Sequence, residues 1–392
     1  MKKKIILSAL LGATTSLMAL GGEHAYLYKD PRIMGMGGAN VAVGGYSTSI
    51  FSNPAGLAQI EKNHGFVVDI LGLGVAASSG ISDFLDDIDS AGDDTDEMTK
   101  VLQKYAGEHF HAGVDNYMAV SKNSDYLAWS VGLLAAADIN LQAHPNGSTN
   151  GGLLATSSRV YAGVVLGAAK PYDTEYGRVD LGVSLKFISQ NSYEGVIGVS
   201  ELTNPDEDIG EYLQDKYEKS SSGFGLDLGV TWYPFADNYW NPAFGMSILN
   251  IGSMGMDDNF GGQPLTVNIG ASVTPEVAFV NKLVLAIDYV DMFNANTVRI
   301  YELSTNNDIS FTDYSEADFM KRIRLGASAR LIDNSYFATT VNLGMYQAAY
   351  TAGVDLQLTV LKLNFATYAE QVGTGSVDIS DRRYMVQLGI GW

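Results

Sequence analysis

Apolar and polar residues alternate along much of the chain, most cleanly in its second half. In RVDLGVSLKF, Val179, Leu181, Val183, Leu185 and Phe187 oppose Arg178, Asp180, Gly182, Ser184 and Lys186. In RIRLGASARL, Ile323, Leu325, Ala327, Ala329 and Leu331 oppose Arg322, Arg324, Gly326, Ser328 and Arg330. In LKLNFATY, Leu361, Leu363 and Phe365 oppose Lys362, Asn364 and Ala366. A period of two gives a strand with two unlike faces. Soluble sandwiches alternate as well. These segments, however, run to about 10–14 residues, close to the ~9–11 that cross a bilayer at a tilt and well beyond the ~5–6 of an average strand. Their polar faces mix glycine and serine with arginine and lysine, which suits a crowded lumen. The pattern predicts an all-β fold, a transmembrane antiparallel β-barrel.

Strands are predicted near 64–77, 111–121, 126–141, 156–169, 177–190, 221–234, 242–252, 264–274, 282–292, 321–332, 335–346, 348–358, 361–371 and 382–392. That makes fourteen, an even number as in single-chain bacterial barrels. Odd-numbered connections should lie outside the cell and be long, as 78–110, 191–220 and 293–320 are; even-numbered ones such as KNSD and DNS are brief. The external connection between 346 and 348 is unusually tight. The last strand ends in RRYMVQLGIGW, with Tyr384, Val386, Leu388, Ile390 and Trp392 on one face. Tyr384 and the terminal Trp392 suit an aromatic girdle and resemble the C-terminal signal read by barrel-assembly machinery.

The opening MKKKIILSALLGATTSLMALGG has three lysines, an apolar stretch and small residues at its end. That is the layout of a secretory signal peptide, here residues 1–21, and it is too short for a spanning helix. The 392 residues contain no cysteine, which removes disulfides and thiolate chemistry. The formal charge is −20, more negative still once Lys2, Lys3 and Lys4 leave with the leader. So acidic a chain is a poor partner for nucleic acid. After the leader no run of about 18 apolar residues follows, so helical spans are not expected.

Ahead of the first strand, RIMGMGGANVAVGGYSTSI leads to FSNPAGLA. Gly35 to Asn40 lacks the last glycine of a dinucleotide fingerprint and follows no clear strand. Asn53 reads as a helix N-cap with Pro54 at the first helical position. Ala55 to Ala58 then form a short turn, and the glycines allow the bends of a compact plug. Residues 22–60 are expected to be a lumenal hatch and 61–392 the barrel. The acidic stretch DFLDDIDSAGDDTDE, 83–97, fails the EF-hand template from Asp87, because Ala91 and Met98 stand at ligand positions. It is read as a solvated loop, helical through EMTKVLQKYA. His109 and His111 share a strand face without an evident third metal ligand. No nucleophile, base and acid stand at a recognisable spacing, so neither an enzyme nor a cofactor is expected.

PRIMGMGGANVAVGG followed by SIFSNPAGLA resembles the N-terminal hatch of the FadL/TodX family of outer-membrane barrels, where a small-residue run precedes an Asn-Pro-Ala motif. GFGLDLGVTWYP, PAFGMSILNIG, LVLAIDYVDMF and the segments up to LKLNFATYAEQVG are similar to a related subgroup that carries a TraF-like conjugal-transfer label, and to PorV-type secretion barrels. The resemblance covers about 31–58 and 223–392. It implies a barrel in the Gram-negative outer membrane, surrounded by lipid and built by the assembly machinery. The leading expectation is a FadL-like channel that passes hydrophobic small molecules by passive uptake, with Asn53, Pro54, Ala55 and Gly56 shaping the hatch, and a scaffold is the alternative. As a TraF-like or PorV-like barrel it would act as a scaffold for a conjugation or secretion partner. Arg322, Arg324, Arg330 and Lys362 are expected to face the lumen, with Asp180, Asp227, Asp288 and Asp355 as their partners, and Lys186 is expected to face it as well.

Overall fold

The computed structural model describes residues 23–24, 26–62, 65–144, 152–235, 238–256, 260–303, 309–315, 317–334, 336–373 and 379–392. The leader expected at 1–21 lies outside them. Among the described residues are sixteen strands: β1 Phe66–Ser78, β2 His109–Asn123, β3 Ala128–His144, β4 Leu153–Thr174, β5 Gly177–Gly198, β6 Glu218–Tyr233, β7 Pro242–Gly252, β8 Thr266–Val273, β9 Lys282–Tyr289, β10 Thr297–Leu303, β11 Ile309–Ser315, β12 Ile323–Asp333, β13 Phe337–Tyr346, β14 Ala349–Leu358, β15 Leu361–Gln371 and β16 Ser380–Gly391. All but β10 and β11 form one closed antiparallel barrel of fourteen strands. Pairing of β1 with β16 closes it, Val75 against Val386 and Ala77 against Tyr384. Closure leaves no strand edge for lipid to meet, the condition for a sheet in hydrocarbon.

Alternation sorts the two faces. On β5, Leu181, Val183 and Phe187 point outward while Asp180, Ser184 and Lys186 are buried inside. On β16, Tyr384, Val386, Leu388 and Ile390 face out. Trp392 stays exposed while its backbone exchanges two hydrogen bonds with Val68. The tight external connection is a genuine two-residue turn. Gln347 and Ala348 both take positive φ, 48° and 63°, the backbone a type I′ hairpin requires. The Gln347 amide steadies it, donating to Glu370 Oε1 at 2.6 Å and accepting from the Gln371 backbone at 2.6 Å.

Three features depart from the expected layout. First, β4 and β5 are 22 residues each, so their outer halves rise past a bilayer-spanning length. Second, they support a cap made of α2 (Ile81–Ala91), α3 (Thr95–Lys104), α4 (Val199–Leu202) and α5 (Ile209–Tyr217); α1 (Pro31–Gly35) is a short helix in the hatch. The acidic stretch 83–97 is thus mostly helix, not loop. Phe84, Ile88 and Ala91 recur at helical spacing and are buried with Met98, Leu102, Phe110 and Leu213, while the intervening aspartates face water. Asp94 caps α3 by accepting from the Asp96 and Glu97 amides. Third, the long connection at 293–320 contains the hairpin β10–β11.

Candidate functional site in the barrel lumen

Residues 23–24 and 26–60 run through the barrel interior. Asp30 caps α1 (Pro31–Gly35), and short 3-10 helices span Ser47–Phe51 and Pro54–Gln59. Asn53 is the cap of the second: its Oδ1 accepts from Ala55 N at 3.1 Å. Its Nδ2 donates to Val41 O at 2.7 Å, and to Val230 O and Thr231 Oγ1 on β6 at 3.1 and 3.2 Å. One amide therefore starts the helix, folds the hatch on itself and ties it to the wall.

Glycines on the inner face of the wall make room for this chain. A Cβ on Gly182 would stand 2.2 Å from Ala55 N, and one on Gly229 2.0 Å from Asn53 Oδ1. On Gly245 it would stand 2.2 Å from Val41 O, and on Gly326 2.3 Å from Met36 O. Gly35, Met36, Val41, Asn53 and Leu57 thus lie against β14, β12, β7, β6 and β4 in turn, and Asn123 of β2 holds the carbonyls of Ala58 and Ile60. The hatch circles the inside of the wall in strand order. Gly37, Gly38 and Gly45 take positive φ on the way.

At the start of the hatch the anchoring is ionic. Lys29 pairs with Glu23 and, at 2.7 Å, with Glu370 of β15. Arg383 of β16 binds Glu23 and Asp381, both at 2.7 Å. Arg159 of β4 binds Asp138 of β3 at 2.8 Å and donates to the Tyr26 carbonyl at 2.7 Å. Burial works against the charged form of Glu23, but Arg383, Lys29 and His111 outweigh it and hold the carboxyl well below its usual range. Burial likewise opposes the Lys29 ammonium, and Glu23 and Glu370 more than compensate. His24 makes an isolated bridge to Val298 of the β10–β11 hairpin, so the hatch begins at the end of the lumen that carries this hairpin. It ends at the opposite end, where Lys62 reaches Asp125 in the β2–β3 turn.

The charges named from the alternating pattern are placed as follows. Asp180 is buried and bound by Arg178 at 2.7 Å. Asp227 accepts from Lys186 at 2.9 Å and from Ser184 Oγ at 2.5 Å. Asp288 accepts from the Asn40 and Val41 amides of the hatch at 2.6 and 2.8 Å. Asp355 accepts from Asn342 at 2.8 Å, Lys362 binds Asp69 at 2.7 Å, and Arg330 binds Asp333 at 3.0 Å. Arg324 lies over the Tyr346 ring, 3.9 Å from its centroid. These partners are local or in the hatch; the pairing of Asp180, Asp227, Asp288 and Asp355 with Arg322, Arg324, Arg330 and Lys362 is not the arrangement found. Arg322 is a correction of place as well. Asp318 accepts from the Met320 amide and turns the chain through Met320–Arg322, so β12 begins one residue later. Its guanidinium donates to backbone carbonyls of that rim. His109 and His111 face inward beside Asp381 and Asn140, and no metal-ligating group of three is present among the described residues.

Alternation could have exposed Glu370, Asp381 and Arg383, which share the inward parity of Lys362 and Gln387. Glu23 and Lys29 lie where no period exists to read. Around the hatch remain cavities of about 250 Å³, bordered by Lys186, Asn250, Gln263, Asn268 and Phe51, and about 150 Å³, bordered by Arg32, Arg330, Lys362, Asp69 and Asp355. Both have mixed linings, in which apolar side chains such as Leu27, Ile33 and Phe51 of the larger stand among hydrogen-bonding groups.

The family described as "F plasmid transfer operon, TraF, protein" matches residues 50–291. The chain belongs to that family. Its fold is that of the FadL-type outer-membrane barrels. It is similar to the toluene transporter TbuX of Ralstonia pickettii, with 14% identity, a TM-score of 0.54, and coverage of 93% of this chain and 98% of that one. It is also similar to the toluene transporter TodX of Pseudomonas putida, with 11% identity, a TM-score of 0.53, and coverage of 96% and 99%. No curated protein matches it in sequence.

Proposed function

We propose that this outer-membrane barrel works with its lumen closed, as a partner-binding scaffold in conjugal transfer or secretion. Residues 1–21 would be removed as the export signal, the barrel would be inserted into the outer membrane by the assembly machinery, and its exterior would meet lipid. The observation that carries the reading is the hatch itself. It is fixed to the wall by buried ion pairs of Lys29, Glu23 and Arg383 and by the Asn53 and Asp288 hydrogen bonds. The cavities left beside it have charged and polar groups interspersed with apolar ones, whereas passage of a hydrocarbon favours a continuous apolar path. The helical cap, filled by its own apolar core, offers a rigid external platform.

A second reading, passive uptake of hydrophobic small molecules, draws on the fold and on the apolar side of the larger cavity, where Leu27, Ile33, Met34, Val41 and Phe51 stand. Uptake of a labelled hydrophobic compound, compared in cells with and without the protein, separates the two. The scaffold reading expects unchanged uptake together with a defect in transfer or secretion. Uptake lost with the protein and restored with it would overturn that reading in favour of the channel. Neither reading assigns the protein an enzymatic activity.

A further inference from the structure

The two cavities beside the hatch share a wall. Gln263 and Asn296 border the larger, of about 250 Å³, and belong to the connections at the hairpin end of the lumen. Gln357 and Lys362 border the smaller, of about 150 Å³, and flank the β14–β15 turn at the opposite end. Each has room for several waters, at ~30 Å³ apiece in the liquid. Tyr28 and Thr48 border both cavities; Asp30 and Phe51 border the larger, Arg32 and Tyr117 the smaller. The contacts across this wall are direct. Asp30 accepts from Arg32 Nε at 3.0 Å and from Thr48 Oγ1 at 2.6 Å. The Tyr28 ring centroid stands 5.2 Å from that of Phe51 and 5.5 Å from that of Tyr117, and its hydroxyl accepts from Gln387 Nε2 of β16 at 2.7 Å.

On either side of the wall stand groups that can replace part of an ion's hydration: Asn250 and Asn268 in the larger cavity, Asp69, Asp355 and Lys362 in the smaller. The wall itself offers an ion nothing of the kind. Asp30 and Arg32 satisfy each other, and the three touching rings present apolar surface, where an ion stripped of water is costly. Space on both sides gives the Tyr28 ring and the Arg32 guanidinium somewhere to turn. The hatch backbone is held elsewhere, through Asn53, Asp288 and Glu370. We propose that Tyr28, Asp30, Arg32 and Thr48 form the ion-tight seal of the lumen, one layer of side chains between two vestibules. Opening this seal creates a narrow path for small inorganic ions past a hatch that stays docked. The proposal rests on the closed-lumen reading and adds to it which residues close the lumen.

The test uses the full-length protein in planar bilayers, with protease cleavage of the hatch followed in parallel. Wild type should be silent. Tyr28→Ala should lose that silence and carry a small, steady current while its hatch stays protected. Asp30→Asn combined with Arg32→Met keeps a capping side chain on α1 and leaves neither half of the ion pair alone; it serves if Tyr28→Ala does not fold, and should behave alike. Because the chain has no cysteine, Thr340→Cys on the smaller cavity can be added to Tyr28→Ala. A charged thiol reagent should then cut the current from either chamber, which joins both cavities in one path. Variants that stay silent with a protected hatch would place the barrier elsewhere and overturn the seal, while leaving the closed lumen intact. Current that appears only together with hatch cleavage would make sealing inseparable from docking and overturn it too. A wild type that conducts with its hatch protected would refute the closed lumen, and the seal with it.

Discussion

Removing the Lys29 ammonium tests whether the hatch is held by its ionic anchor. Lys29→Met keeps the volume of the stem and leaves two buried carboxylates behind, with side chains only 2% (Glu23) and 1% (Glu370) exposed. Glu23 retains Arg383, and Glu370 keeps only neutral donors, the Gln347 amide and the Tyr346 hydroxyl. Breaking a buried pair from one side costs about 3–5 kcal/mol. If the docked hatch bears that cost, its equilibrium with an undocked state moves by roughly 10² to 10³·⁵. Purified protein in planar bilayers gives the assay: the wild type should be nearly silent, and Lys29→Met should show frequent openings of a wide pore. Its hatch should also become susceptible to protease. Lys29→Met combined with Glu370→Gln should recover much of the silence, because no unpaired carboxylate remains. A single variant as silent and protease-resistant as wild type would refute the anchor.

Further outcomes follow from other contacts. Gly229→Leu should fail to seat the hatch or fail to assemble, since a Cβ there stands 2.0 Å from Asn53 Oδ1; detergent-resistant, heat-modifiable mobility on gels reports which. Asn53→Ala removes a cap worth about 1 kcal/mol and several wall contacts, and should make the hatch cleavable while the barrel stays folded, as read by limited proteolysis. The Glu23 carboxyl is depressed in the folded state, so its stabilisation is fully present above the unfolded value of about 4.3 and is lost only as pH falls through the lower folded value. Hatch protection should therefore persist through ordinary carboxylate titration and fail only in stronger acid. Trp392→Ala should reduce the amount of folded barrel in the membrane, measured by fractionation, with little effect on what does fold.

Most of the barrel was legible because lipid and lumen impose opposite demands on successive residues. Leu181, Val183 and Phe187 against Asp180, Ser184 and Lys186 carry that signal in plain alternation, and the short turns confirm its parity. The hatch was legible through Asn53-Pro54, where cap chemistry is local. The outer halves of β4 and β5 were not, because the cap buries both of their faces and blurs the period; Tyr193, Gly195 and Ile197 no longer look lipid-facing. The helix at Ile81–Ala91 hid beneath its aspartates, although Phe84, Ile88 and Ala91 keep helical spacing. The ionic anchor was least visible, since Lys29 and Glu370 meet across 341 positions of chain and nothing local announces either partner. Arg322 shows the reverse error: its parity is right for the lumen, but it closes the 3-10 turn Met320–Arg322 and the strand begins only at Ile323.

The absence of native cysteine permits a direct test of whether function requires the hatch to move. Ser47 Oγ of the hatch donates to Asp69 Oδ2 of β1 at 2.8 Å, so Ser47→Cys with Asp69→Cys brings two thiols near enough to be locked through a short, reducible bis-thiosulfonate linker. The measurement is transfer or secretion by cells carrying the linked, locked protein, with the reduced form as control. Full activity in the locked state is the predicted result. Activity that vanishes on locking and returns on reduction would contradict a barrel that works closed.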